Sequence, residues 1–217
     1  MNFFGHATVA RWFVDSPAYV LGAMLPDFAS MAGVRIAGVD DAELADGVAL
    51  HHRTDDVFHR APIFCALMGE AQDVLEDRGL ERGSAMAVAH VGVELLLDGW
   101  LSAREEGALA SYRAALEVPD PAVRWRTADA ERRWPTLRDR LRASALPGAY
   151  RDPAFVADRL VMILARRPRL AVDDRGAAVI AGWASAGVDA VAARGEALMA
   201  WLRQELLEAP KGAGAEP

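Results

Sequence analysis

Hydrophobic positions in the first hundred residues recur at helical spacing. Phe3, Val9, Trp12 and Phe13 predict a first helix within residues 2 to 14, which carries His6 and ends at Asp15-Ser16-Pro17, a cap and first turn for the next helix. That second helix is expected to stop near Pro26, because the residue before a proline is pushed off helical angles, and Asp27 would then sit on a turn. A glycine-bearing stretch from Met31 to Val39 leads to Asp40-Asp41, the expected cap of a helix through Leu44, Val48 and Leu50 toward His59. Pro62 opens another. The segment from Ser84 to Leu101 is apolar almost all round and is expected to be the buried helix at the centre of a bundle. Beyond it, helical pieces are punctuated by Pro119, Pro121, Pro135, Pro147, Pro153 and Pro168, and Asp173-Asp174 opens an alanine-rich helix or helix pair to about Glu208. No repeat and no long linker interrupts the chain, so residues 1–208 read as a single compact all-α domain and 209–217 as a frayed tail.

Composition supports a helical reading. Among 217 residues, 44 are alanine while only 4 are isoleucine and 4 threonine, a balance that favours helix formers over strand formers. A net charge of −7 argues against a broad basic footprint for nucleic acid. No uninterrupted apolar run approaches the ~18 residues of a membrane span, and His6 and Arg11 interrupt what would be the apolar region of a secretory signal. A cytoplasmic protein that does not enter a membrane is therefore expected. Cys65, the single cysteine, allows no internal disulfide and no cysteine-based metal site, and is expected to be buried and inert. Trp125, Trp134, Trp183 and Trp201 are expected in the core.

The candidate chemistry is N-terminal, since all 5 histidines (6, 51, 52, 59 and 90) fall within the first 90 residues. Between Ala85 and Trp100 the polar side chains are His90, Glu94 and Asp98, at i, i+4 and i+8, which is one stripe on an apolar rod. Two carboxylates on one buried stripe repel unless a cation or a hydrogen-bond network compensates them. His51, Asp55 and His59 repeat the same spacing. Mixed histidine and carboxylate donors suit an intermediate divalent metal such as Mn²⁺, Fe²⁺ or Zn²⁺ better than Ca²⁺. The alternative for the first stripe is exposure through a gap in the bundle or pairing with arginines, and for the second a solvated helix face, since Arg53, Asp56 and Arg60 charge that segment on several sides. With a metal present, Asp55 or Glu94 could accept a proton from water. Arg53, Arg166, Arg167 and Arg169 are the candidates for a bidentate phosphate clamp. Arg166-Arg167-Pro168-Arg169 also reads as a basic helix C-terminus that complements the helix dipole.

Several short segments together carry a resemblance: Met1-Asn2-Phe3-Phe4-Gly5-His6, Leu21-Gly22-Ala23-Met24-Leu25-Pro26-Asp27-Phe28, Gly47 through Asp55, Pro62, and Arg166 through Leu170. In order and approximate spacing the chain resembles the acyl carrier protein phosphodiesterases, an all-helical offshoot of the HD-domain metal phosphohydrolases. The resemblance covers most of the chain and is strongest in the first hundred residues. It implies an HD-domain-like architecture and release of 4′-phosphopantetheine from holo acyl carrier protein, the implied partner, with Mn²⁺ or a similar metal. By position, His6, Asp27, His51 and Asp55 would be ligands or their immediate supports. His59 stands where the family carries an aspartate, and His90 and Glu94 where it tends to carry a pair of aspartates four apart. The family's aromatic and histidine-bearing segment after the central helix is reduced to Asp98-Gly99-Trp100. The departures keep metal-binding groups, so His59, His90, Glu94 and Asp98 join the candidate ligands. A small phosphoester as substrate, or a noncatalytic helical binding role, are the alternatives to the carrier protein.

Overall fold

Phe3–Ala10 form α1, and every one of its residues is buried. A helix of this length is marginal alone and owes its existence to what surrounds it. The computed structural model describes residues 1–119 and 122–208, and the expected tail at 209–217 lies outside them. Ser16 caps α2 (Pro17–Ala32) by accepting from Tyr19 N at 3.2 Å, with Pro17 in the first turn. Asp41 does the same for α3 (Ala42–Phe58), accepting from Leu44 N at 2.8 Å. Then follow α4 (Pro62–Asp77), α5 (Arg82–Arg104), α6 (Glu106–Leu116) and α7 (Ala130–Ala143). A 3₁₀ turn (Gly148–Arg151) leads to α8 (Pro153–Ala165), and α9 (Asp174–Glu208) closes the described chain as one continuous helix of 35 residues.

The all-α class stands, and three local expectations do not. Pro26 does not end the second helix: α2 runs through it to Gly33, where a φ of 67° breaks the helix in the left-handed region open to glycine. Proline removes one helical bond, but close packing of α2 on α3 over the length of both holds the two halves in line. Asp27 is therefore on a helix and not on a loop. Ile36–Val39 (β1) pairs antiparallel with Val123–Trp125 (β2), a small ribbon not expected from the sequence. Cys65 is exposed, because the inward face of α4 carries Phe64, Leu67, Ala71 and Leu75 and leaves its neighbour on the outer side.

Central burial of α5 is as expected, with Leu95, Leu96 and Leu97 all inside. It packs against α1, α4, α8 and α9 within one hydrophobic core that runs from Met1 to Leu206. Phe3 anchors that core, its ring 5.5 Å from Phe28, 5.7 Å from Tyr112 and 6.4 Å from Tyr150 between centroids. Trp134 and Trp183 are buried, while Trp125 and Trp201 are partly so. By length and composition α5 and α9 could each cross a membrane; for α5, 67% of the apolar window is buried inside the protein, and for α9 28%.

Helices α2 and α3 touch backbone to backbone. A Cβ on Gly22 would lie 2.2 Å from the Leu44 carbonyl oxygen and 2.9 Å from Gly47 Cα, so only glycine permits the crossing. Gly22→Ala should therefore lower stability in urea unfolding by about 1–3 kcal/mol; an unchanged midpoint would show that the helices separate freely.

Candidate metal centre

Four helices send side chains to one place. α3 supplies His51 and Asp55 one turn apart, with His59 at its C-cap, and α5 supplies His90 and Glu94 one turn apart. His6 comes from α1 and Asp27 from α2. One donor atom from each of His6, Asp27 and His51 lies within 4.8 Å of the others, and the same holds for His59, His90 and Glu94. Asp55 lies beside both sets, its Oδ1 3.2 Å from His6 Nε2 and 4.0 Å from His59 Nδ1, its Oδ2 3.5 Å from His51 Nε2.

Hydrogen bonding decides which ring nitrogens are free. His51 Nδ1 lies 2.8 Å from the Ala23 carbonyl oxygen, which can only accept, so Nδ1 carries the proton and the Nε2 lone pair faces the Asp55 carboxylate. His59 repeats this arrangement: Nδ1 donates to the Asp55 backbone carbonyl at 2.9 Å, and Nε2 is left facing His90 Nε2 and Glu94 Oε1, each at 3.1 Å. Glu94 Oε1 is also 3.1 Å from His90 Nε2. Three polar atoms thus meet within 3.1 Å of one another, and the His90 tautomer decides which of them donates. Imidazoles fixed by a backbone carbonyl on one nitrogen, with the other turned to a carboxylate cluster, have the orientation of metal-ligating histidines. In the first set, His6 Nδ1 and Asp27 Oδ2 are buried with no hydrogen-bond partner, while His6 Nε2 faces the Asp55 carboxylate at 3.2 Å. Such orphaned groups are costly unless a cation satisfies them, so the donors present fit a divalent metal.

The α-amino group of Met1 supplies positive charge here. It donates to Asp55 Oδ1 at 2.8 Å and lies 3.1 Å from Glu94 Oε1 and 3.4 Å from His59 Nε2. Burial pulls its pKa down, but the Glu94 and Asp55 carboxylates outweigh burial and the net shift is upward. Burial likewise would raise Asp55 and Glu94, and both are instead held below the usual carboxylate range: Asp55 by His6 and the amino group, Glu94 by His59, His90 and the amino group. Asp27 is raised well above it, by burial first and then by Glu94, Asp55 and Asp98. Burial and the neighbouring His6 bring His51 down to about 3, and burial lowers His6 as well, so both rings are neutral at neutral pH. Solvent reaches the cluster past His90, His59 and Asp55, whose side chains are 43%, 34% and 32% exposed.

Other sequence candidates lie elsewhere. Asp98, expected to continue the ligand stripe, is wholly buried and engaged with the start of α1, accepting from Asn2 Nδ2 at 2.6 Å, Gly5 N at 2.8 Å and Phe4 N at 3.2 Å. Both its oxygens are used by donors, so it is an anchor and not a ligand. Burial carries its carboxyl up to about 7 against those bonds. Arg53 points to the opposite side of α3, donates to the Leu206 carbonyl and sits 5.8 Å from the Phe13 ring centroid, so it does not reach the cluster. Arg166, Arg167 and Arg169 are exposed at and beyond the end of α8. The Met1 amino group was not foreseen from the sequence, where a terminus carries no positional signal.

No protein-family model matches this chain, and no curated protein or solved structure matches it either.

Removing the Asp98 carboxylate should free three buried donors. Asp98→Ala is expected to destabilise the protein by about 2–3 kcal/mol in urea unfolding, well beyond the effect of an exposed control such as Asp139→Ala. Equal effects would mean that α1 is held by apolar packing alone.

Proposed function

We propose that the protein is a metal-dependent phosphoric-ester hydrolase of HD-domain-like, all-helical architecture. The observation that carries this reading is the convergence of side chains able to ligate a metal: His6, Asp27 and His51 on one side, His59, His90 and Glu94 on the other, and Asp55 between them. Mixed imidazole and carboxylate donors favour Mn²⁺, with Fe²⁺ or Zn²⁺ as the other candidates. Bound metal would lower the pKa of a coordinated water and offset charge on the phosphoryl oxygens. Asp55 and Glu94 stay anionic at neutral pH and would hold the metal, and a carboxylate oxygen left uncoordinated would be the group to accept a proton from water. His6 and His51, buried and neutral, fix the inner wall, and the exposed edges of His59 and His90 leave an entrance for the ester.

Elemental analysis of protein purified without chelator should find a transition metal, and Mn²⁺ should support hydrolysis of bis(4-nitrophenyl) phosphate. Asp55→Asn should keep its circular dichroism spectrum and lose metal retention and turnover by at least about 100-fold. Metal-loaded wild type that cleaves neither this ester nor holo acyl carrier protein would point to a binding role.

Holo acyl carrier protein is the substrate implied by the family resemblance, acting within a cytoplasmic protein. An observation that favours it is the exposure of Arg166, Arg167 and Arg169, for which no carboxylate partner occurs among the described residues. Such a patch would steer an acidic carrier. Arg166→Glu with Arg167→Glu should then lower kcat/KM for the carrier by roughly tenfold, and hydrolysis of bis(4-nitrophenyl) phosphate far less. Equal losses would remove the docking role.

A further inference from the structure

A second concavity lies one helical turn from the metal centre. It encloses about 610 Å³ between α2, α3 and the β1–β2 ribbon, a volume in the range of small-molecule sites. Val48 and Pro26 belong to its apolar wall, Ile36 to the ribbon side, and His52 to the end nearest the cluster. His52 packs edge-on to His51, with ring centroids 5.3 Å apart.

Helix α3 makes the two sites continuous. Val48, His52, Asp55 and His59 are spaced by four, three and four residues, so they fall within about 60° of one another around the helix. The first two line the groove and the last two border the open side of the cluster. An extended molecule lying on that stripe touches both, and the rise from Val48 to Asp55 is roughly 10 Å.

The charge lining the groove is one-sided. Its charged lining residues are Arg35 and Arg126, in a chain whose net charge is −7. Their backbones are joined by Arg126 N donating to the Arg35 carbonyl at 2.8 Å, and Arg35 N donates to Thr127 Oγ1 at 3.1 Å, which sets the two side chains at the same ribbon end. Both guanidiniums are exposed, and among the described residues neither is paired with a carboxylate. Two adjacent free arginines over an apolar channel match an anion at the end of an aliphatic or otherwise apolar linker.

We propose that this groove holds the part of the substrate distant from the scissile phosphate, and that the substrate is a small, extended phosphoester carrying a second anionic group seated by Arg35 and Arg126. The assignment rests on the hydrolase reading and selects its small-ester form. Hydrolysis adds water across the P–O bond at the metal centre, while the distal anion, unchanged by the reaction, governs binding.

A matched pair of substrates tests it: 4-nitrophenyl 6-carboxyhexyl phosphate and the same diester with its carboxylate methylated. With Mn²⁺ present, KM should be roughly tenfold lower for the acid than for the methyl ester, as one charge-assisted contact predicts. Arg35→Ala with Arg126→Ala should bring the two KM values together, whereas Arg140→Ala on the exposed side of α7 should preserve their ratio. Equal KM values in the wild type, or a ratio that survives the double variant, would overturn the proposal. Calorimetry with 7-phosphonoheptanoate and heptylphosphonate separates binding from chemistry, because neither is hydrolysed. Arginine-dependent preference for the carboxylated compound by a protein that cleaves no ester would keep the groove and refute the hydrolase reading. Equal affinities, or no binding of either, would refute the groove even where esters are cleaved.

Discussion

The contact on which the site depends is the one between the Asp98 carboxylate and the first turn of α1. An eight-residue helix has almost as many unsatisfied backbone groups as satisfied ones, and Asn2 provides no side-chain cap. Asp98 replaces that cap from another helix, taking two backbone N–H groups and the Asn2 amide with its two oxygens. Negative charge at a helix N-terminus is favourable in itself, and full burial makes the geometry matter more because water cannot substitute. The result is that α1 has one position on α5. His6 and the Met1 amino group then arrive at the carboxylates without adjustment.

Four carboxyl groups sit close together around this point, and their differing environments divide them. Asp98 is surrounded by donors and holds the scaffold. Asp55 and Glu94 face imidazoles and an ammonium and remain ionised. Asp27 has no donor on Oδ2, and burial beside three other acids drives its pKa upward. A carboxyl in that position is stable either as the neutral acid or as an anion beside a multivalent cation. His6 Nδ1, buried without a partner, belongs to the same group of side chains.

Legibility from sequence followed helical periodicity. His51 with Asp55, and His90 with Glu94, were readable as pairs because four residues return a helix to the same face. The buried helix containing Glu94 was readable because polar residues were confined to one stripe. Periodicity failed where identity of environment mattered more than direction. Asp98 continues the Glu94 stripe in angle, yet four residues further on it meets the start of α1 in place of a histidine, and nothing local in the sequence announces that. Asp27 was placed on a turn because a proline precedes it, and tertiary packing on α3 overrode that preference. Arg53 is two residues from both His51 and Asp55, which near a helix means roughly the opposite side. The β1–β2 ribbon was missed because its two strands are short and separated by more than eighty residues, so neither has a pattern long enough to detect.

Helix α3 organises function by presenting two adjoining faces to two different neighbours. Its contact with α2 is closed to the backbone by Gly22 and Gly47, and this brings His51 against Asp27 and the Ala23 carbonyl. A residue larger than glycine at either position would push the helices apart and open the gap between those donors. The concavity lined by Pro26, Val48 and His52 lies between the same two helices and the ribbon. The side-chain cluster and the groove thus both border α3. Under the proposed reading, a molecule long enough to use both would meet rigid helix on one side and ribbon arginines on the other, and discrimination by length and terminal charge would follow from the backbone geometry that brings the cluster together.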